Sequence, residues 1–168
     1  ARLFNAAVAS GTDPARIVRD FDTVSICLSK GLGAPVGSVL VGSKADLAEA
    51  HRWRKMFGGG MRQAGVIASA GIYALENNIE RLSEDHKRAK KFAEALDTMS
   101  HFSVNVENVQ SNIVFIGVEE GSTKRIMEKL SKHGVDVLDT DESTIRAVFH
   151  LHITDEDLEN AIGAFGKI

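Results

Sequence analysis

The sequence predicts an α/β fold, and three observations predict it. Short apolar runs of strand length occur at 24–28, 36–41 and 113–118. Other, longer stretches repeat apolar residues every three or four positions, as one face of a helix does. The changes of pattern are marked by residues with a mechanism of their own: Asp13-Pro14, Ser43, Gly58-Gly59-Gly60, Gly134 and Thr154.

Asp13-Pro14 begins a short helix with proline in the first turn, where a missing N–H costs nothing. The runs 24–28 and 36–41 are apolar throughout, as expected of strands covered on both faces. Ser43 caps a helix that continues to about Met56, and the glycine triplet breaks it. A second helix is expected from about Arg62 to Asn77. Its apolar positions Met61, Ala64, Ala68, Gly71, Ile72 and Leu75 follow three-and-four spacing, and its many Ala and Gly residues imply close helix packing.

Residues 79–99 read as one long amphipathic helix with Ile79, Leu82, Ala89, Ala93, Leu96 and Met99 inward. Such a helix bridges a larger domain, to which 1–78 belong, and a smaller α/β domain, 100–168. In the smaller one, Phe102, Val104 and Val106 alternate as a strand with one covered face, and 113–118 is a solid apolar strand. Ser122 starts a helix that stops at His133-Gly134. Strands near 135–138 and 145–149 follow. Thr154-Asp155-Glu156-Asp157 then opens a last helix as a capping box, with Leu158, Ile162 and Phe165 on its buried side.

A chain of 168 residues with 43% hydrophobic and 26% charged content suits one domain or two small lobes around a real core. A net charge of −3 and the absence of a basic stripe give no footprint for nucleic acid. The single cysteine, Cys27, excludes an internal disulfide framework and a multi-cysteine metal site. No apolar run reaches membrane-spanning length and the N-terminus lacks a charged-then-apolar layout. No membrane is expected, and a reducing, cytoplasmic compartment is.

The chemistry concentrates at Lys30. An apolar strand delivers this lysine into Gly31-Leu32-Gly33-Ala34-Pro35-Val36-Gly37, and no other charge occurs from Thr23 to Val41. Glycine-rich backbone lets a bulky ligand approach closely, and a rigid strand fixes the lysine's base. An imine-forming lysine needs that placement, with partial desolvation to shed its proton. Arg146 lies inside the apolar run 145–149, where an unpaired charge is costly, which favours a ligand or an ion pair. Gly58-Gly59-Gly60 ahead of a helix beginning near Arg62 reads as an anion cradle or as a flexible turn. His150 and His152 flank Leu151 on one side of a strand, but no third ligand is spaced to complete a zinc site, so no metal is expected. Cys27 reads as a packed, inert thiol, since no positive neighbour in sequence would lower its pKa.

The run from Asp22 to Ser38, Asp-Thr-Val-Ser-Ile-Cys-Leu-Ser-Lys-Gly-Leu-Gly-Ala-Pro-Val-Gly-Ser, resembles the cofactor-lysine segment of the low-specificity L-threonine aldolases. These are pyridoxal 5'-phosphate enzymes of the aspartate-aminotransferase fold group, fold type I. The likeness extends through Arg52-Trp53-Arg54-Lys55-Met56, Gly58-Gly59-Gly60-Met61-Arg62-Gln63-Ala64-Gly65, Ala1-Arg2-Leu3-Phe4-Asn5-Ala6 and Ile145-Arg146-Ala147-Val148-Phe149-His150. It implies that the chain is the C-terminal part of such an enzyme: the end of the large α/β domain, a connecting helix and the small domain.

The resemblance further implies cleavage of L-threonine and L-allo-threonine to glycine and acetaldehyde, with Lys30 as the Schiff-base lysine. Ser29 then either donates to the cofactor phosphate or bonds to its own backbone. Gly60 and Arg62 are implied to face a neighbouring subunit's cofactor, in a homodimer or homotetramer that shares its sites. Arg2 matches the arginine after the family's cofactor aspartate, and Arg146 the small-domain arginine ahead of its Thr-His pair. Both would grip the substrate carboxylate. Where the family has that threonine this chain has Phe149, and His152 stands in place of an acidic residue. The aspartate, histidine and Gly-Thr pair that hold the cofactor in the family fall in a further N-terminal segment. The alternatives are another lyase or transaminase of the fold group, or a chain that is inactive when isolated.

Overall fold

The structure, a computed structural model, describes residues 1–168. The backbone forms two compact units, Ala1–Leu82 and Ser83–Ile168.

The first unit opens with helix α1 (Leu3–Ser10), which the sequence pattern did not announce; it closes at Gly11, whose φ of 63° is a left-handed cap that glycine adopts without strain. Helix α2 (Pro14–Val18) starts as expected, with the Asp13 carboxylate accepting the Ala15 N–H at 2.7 Å. Strand β1 (Thr23–Cys27) pairs antiparallel with β2 (Ser38–Gly42), from Thr23 opposite Gly42 to Cys27 opposite Ser38. The expected cover on both faces is absent: this is a two-stranded ribbon, and β2 is exposed along its whole length, Val39, Leu40 and Val41 included. Apolarity identified the strands correctly, but the chain holds no layer that covers β2.

Ser43 caps α3 (Lys44–Met56) by accepting the Asp46 N–H. Helix α4 (Gly65–Asn77) begins three residues later than expected, because Gln63 takes a φ of 52° that no helix accommodates. Its buried residues are Gly71 and Ala74, while Met61 and Ile72 point outward. Gly71 packs closely there: a Cβ would come 3.0 Å from Leu28 Cδ1, which would have to give way. Leu28, Leu32, Ala34, Ala74 and Leu82 form this unit's core, with Phe4, Val8, Leu75 and Ile79 against it.

Helix α5 (Leu82–Asp97) leads into the second unit and buries Ala89, Phe92, Ala93 and Leu96. The alternation Phe102-Val104-Val106 is not a strand. Only Ser103 bridges to Gly117, and a 3₁₀ turn, Val106–Asn108, follows because the Asn105 side chain accepts the Asn108 N–H and curls the chain. Three antiparallel strands, β3 (Ile113–Gly117), β4 (Leu138–Asp141) and β5 (Thr144–Val148), lie in the order β3-β5-β4. Helix α6 (Thr123–Lys132) ends ahead of Gly134, which has a φ of 75°. The strand expected near 135–138 starts only at Leu138; Val135 and Val137 instead pack against the core from the loop. Helix α7 (Asp155–Phe165) carries the expected capping box. Phe92 meets Phe149 and Phe165 edge-on at 5.4 and 5.3 Å, tying α5, the end of β5 and α7 into one core.

Candidate active site

Lys30 stands on the turn that follows β1. Three backbone bonds close that turn: Leu28 N–H to Gly37 C=O, Ala34 N–H to Leu28 C=O, and Gly33 N–H to Lys30 C=O at 2.9 Å. Leu28, Leu32 and Ala34 are buried while Ser29 and Lys30 are exposed, so the apolar residues anchor the loop and leave the amine on its outer side. The partial desolvation expected of this lysine is therefore not supplied by the chain.

Two carboxamides that the sequence reading passed over touch the same turn. Asn5, on α1, is only 3% exposed, and a Cβ on Gly31 would lie 2.8 Å from its Oδ1 and 3.2 Å from Leu82 Cδ2. Asn78, at the C-cap of α4, donates from Nδ2 to the Leu32 carbonyl at 2.7 Å. The signals were faint: one amide inside the apolar stretch from Leu3 to Val8, and a second at a helix end.

Cys27 corrects an expectation. Its thiol is partly exposed, lies 3.6 Å from Ser29 Oγ, and is held below the ordinary thiol value. The hydrogen bond with Ser29 contributes most, and the Lys30 charge adds to it. The periodic reading missed that Cys27, Ser29 and Lys30 share one short bend.

Arg2 is the N-cap residue of α1, its carbonyl accepting the Ala6 N–H. Through Asn5 and Gly31 its helix packs on the Lys30 turn. Gly60 and Arg62 lie in a separate loop that folds back on the end of α3. Gly59 N–H donates to Arg54 C=O at 2.8 Å, and the Lys55 ammonium occupies the space beside Gly60. Arg62 precedes α4 by three residues and is exposed, so the expected start of a helix at Arg62 gives way to a glycine loop edged by Lys55 and Arg62.

Arg146 belongs to the second unit. It sits at the middle of β5, between Phe115 on β3 and Leu138 on β4. Ile145 and Ala147 face the core, so Arg146 occupies the opposite face, where Phe115 and Leu138 are 55% and 54% exposed. Its Nε is buried and has no hydrogen-bond partner. A buried guanidinium N–H without a partner is a donor awaiting an acceptor. His150 and His152 do not alternate on a strand. They lie in the turn after β5 with rings 5.7 Å apart, and His150 Nδ1 accepts the His152 N–H. A cavity of about 390 Å³ opens between α7, β5 and the loop 133–137, on the sheet face away from Arg146, and holds none of the predicted site residues.

Comparison with known proteins then supplies context. Residues 1–119 match the model of the family described as beta-eliminating lyase. The low-specificity L-threonine aldolase 1 of Arabidopsis thaliana is 43% identical over 168 residues, covering 98% of this chain and 47% of that protein. The low specificity L-threonine aldolase of Escherichia coli K12 is 44% identical, covering 94% of this chain and 46% of its own length. The chain thus spans about half the length of the curated relatives it matches. A solved structure of Leishmania major threonine aldolase superposes with a TM-score of 0.77 at 18% identity, over 99% of this chain and 49% of that one. The fold is the α/β architecture of fold type I.

Proposed function

The chain belongs to the beta-eliminating lyase family, and on that premise we propose that the complete protein cleaves L-threonine and L-allo-threonine to glycine and acetaldehyde with pyridoxal 5'-phosphate. The observation that carries the reading is Arg146, whose buried Nε has no partner on the sheet face it shares with Phe115 and Leu138. An amino-acid substrate always presents a carboxylate, and a guanidinium grips one through two parallel hydrogen bonds.

The residues present fit such a cofactor. A primary amine is exposed on a turn with a buried anchor, and a hydroxyl stands next to it. Lys30 Nζ would hold the cofactor through its aldehyde carbon and would hold or return a proton beside the substrate Cα. Ser29 Oγ would donate to the phosphate, and Gly60 and Arg62 would offer a backbone approach and a charge to a phosphate across a subunit boundary. When bound, pyridoxal phosphate supplies an electron sink for the pair left on Cα as the Cα–Cβ bond breaks. Arg2 in the first unit and Arg146 in the second are each proposed, separately, as a guanidinium for the substrate carboxylate.

We read the active assembly as a homodimer or homotetramer in the cytoplasm. Met56, Phe57, Met61, Val66 and Tyr73 leave an exposed apolar surface around the Gly60 loop, which supports a covered interface there. The free thiol of Cys27 fits a reducing compartment. The test is direct: incubate the complete protein with pyridoxal phosphate, reduce with borohydride, map the adduct by mass spectrometry, and assay aldehyde release from threonine. Label on Lys30 with aldehyde release is expected. An unlabelled Lys30 overturns its covalent role, and label without aldehyde overturns the aldol reaction.

A further inference from the structure

A lysine side chain has four rotatable bonds, so the position of its amine is only as well defined as the backbone that carries it. At Lys30 the side chain is exposed and no side-chain hydrogen bond fixes its amine, so definition has to come from the residues on either side. Before it, β1 supplies the ladder to β2. After it, the next two residues meet carboxamides from two different helices: one by packing, the other by a hydrogen bond. Asn5 packs its Oδ1 against Gly31 so closely that no Cβ fits between them. Asn78 donates to the carbonyl of Leu32, a residue 2% exposed whose C=O would otherwise lie buried without that donor.

We infer that Asn5 and Asn78 form a clamp on the Lys30 turn and act as positioning residues for its amine; the inference rests on the covalent role proposed for Lys30. Carboxamides suit the task. Each offers a donor and an acceptor without a charge, so neither ion-pairs with the lysine and draws it away from an incoming aldehyde. Their placement explains two features of the sequence at once. A side chain at Gly31 would displace the Asn5 carboxamide, and a buried amide stands within the apolar stretch from Leu3 to Val8 because the turn rests against it.

The test uses the complete protein and the variants Asn5→Ala and Asn78→Ala. Hydrogen exchange without added cofactor reads the turn directly. Loss of one hydrogen bond is expected to speed exchange of the amides from Leu32 to Ala34 about fivefold. Stopped-flow absorbance of the C=N bond then separates cofactor binding from condensation. The cofactor concentration at half-saturation should stay put while the limiting rate of condensation on Lys30 falls by a similar factor. Wild-type exchange and wild-type condensation rates in both variants overturn the clamp, and faster exchange with an unchanged condensation rate overturns the positioning role. If Asn5→Ala fails to fold, Asn78→Ala decides alone, since it deletes a single bond at a partly buried site. A wild-type protein that never labels at Lys30 overturns the covalent role, whereas a labelled wild type with unaltered variants overturns only the clamp.

Discussion

Arg146 holds an unsatisfied donor inside a sheet, and that makes opposite predictions for stability and for binding. Removing a buried, unpaired polar atom relieves a desolvation cost, so Arg146→Met should raise the stability of the 168-residue chain by about 1 kcal/mol in urea titration. The same change should weaken amino-acid binding to the complete enzyme by about ten- to a hundredfold, the worth of a charge-assisted pair, with cofactor uptake unaltered. Unchanged substrate affinity would remove Arg146 from the carboxylate role. Cys27 gives a second residue-level test. Its thiol is held low mainly by Ser29, so Ser29→Ala should raise its pKa and slow its alkylation by iodoacetamide at about pH 8. An equal or faster rate would show that the Ser29 hydroxyl does not stabilise the thiolate. Lys30 and Arg146 stand out in the sequence because each is a lone charge inside an apolar run, and Lys30 proves exposed while Arg146 keeps a buried Nε. Asn5 and Asn78 do not stand out, because their meaning lies in contacts with Gly31 and Leu32, far away along the chain.

Helix α7 shows what a local signal can do at the level of one element. Thr154 accepts the Asp157 N–H, and the Asp157 carboxylate accepts from both the amide and the hydroxyl of Thr154. Thr154→Ala should cost about 1 kcal/mol of stability at neutral pH. These bonds hold the Asp157 carboxyl below its ordinary value of 3.8, so folding favours its charged form. That contribution is complete above pH 3.8 and is lost as pH falls through the lowered value, so the difference between variant and wild type should shrink on acidification. A difference that stays constant from neutral pH to below 3.8 would remove Asp157 from the cap. Caps at Asp13, Ser43 and Thr154 were readable because each depends on neighbours within three residues. Elements governed by backbone conformation or distant partners were not: the late start of α4 at the left-handed Gln63, the 3₁₀ turn where alternation suggested a strand, and β4 starting at Leu138.

Across the whole molecule, the two units carry cores of unequal size, although both are rich in apolar residues. The second unit buries Phe92 with Phe149 and Phe165 edge-on against it, and the apolar faces of α5, α6, α7, β3 and β5 around them. The first unit buries only Leu28, Leu32, Ala34, Ala74 and Leu82 as its core, and leaves Val39, Leu40, Trp53, Phe57 and Val66 in solvent. Burial supplies roughly 25 cal/mol for each Å² of apolar surface removed from water, so local stability should follow that asymmetry. In the 168-residue chain, amides of β3, β5 and α7 should resist hydrogen exchange well after those of β1, β2 and α3 have exchanged. Phe92→Ala, which strips the shared partner of Phe149 and Phe165, should cost about 3–5 kcal/mol and erase the slow-exchanging set. The proposed subunit interface predicts the complementary result. In the complete, assembled enzyme, protection should rise at α3, α4 and the Gly60 loop, because their apolar side chains then have cover. Equal protection of α3 and α4 in the isolated chain and in the assembly would mean that those side chains stay in water, and would dismiss the shared site around Gly60 and Arg62.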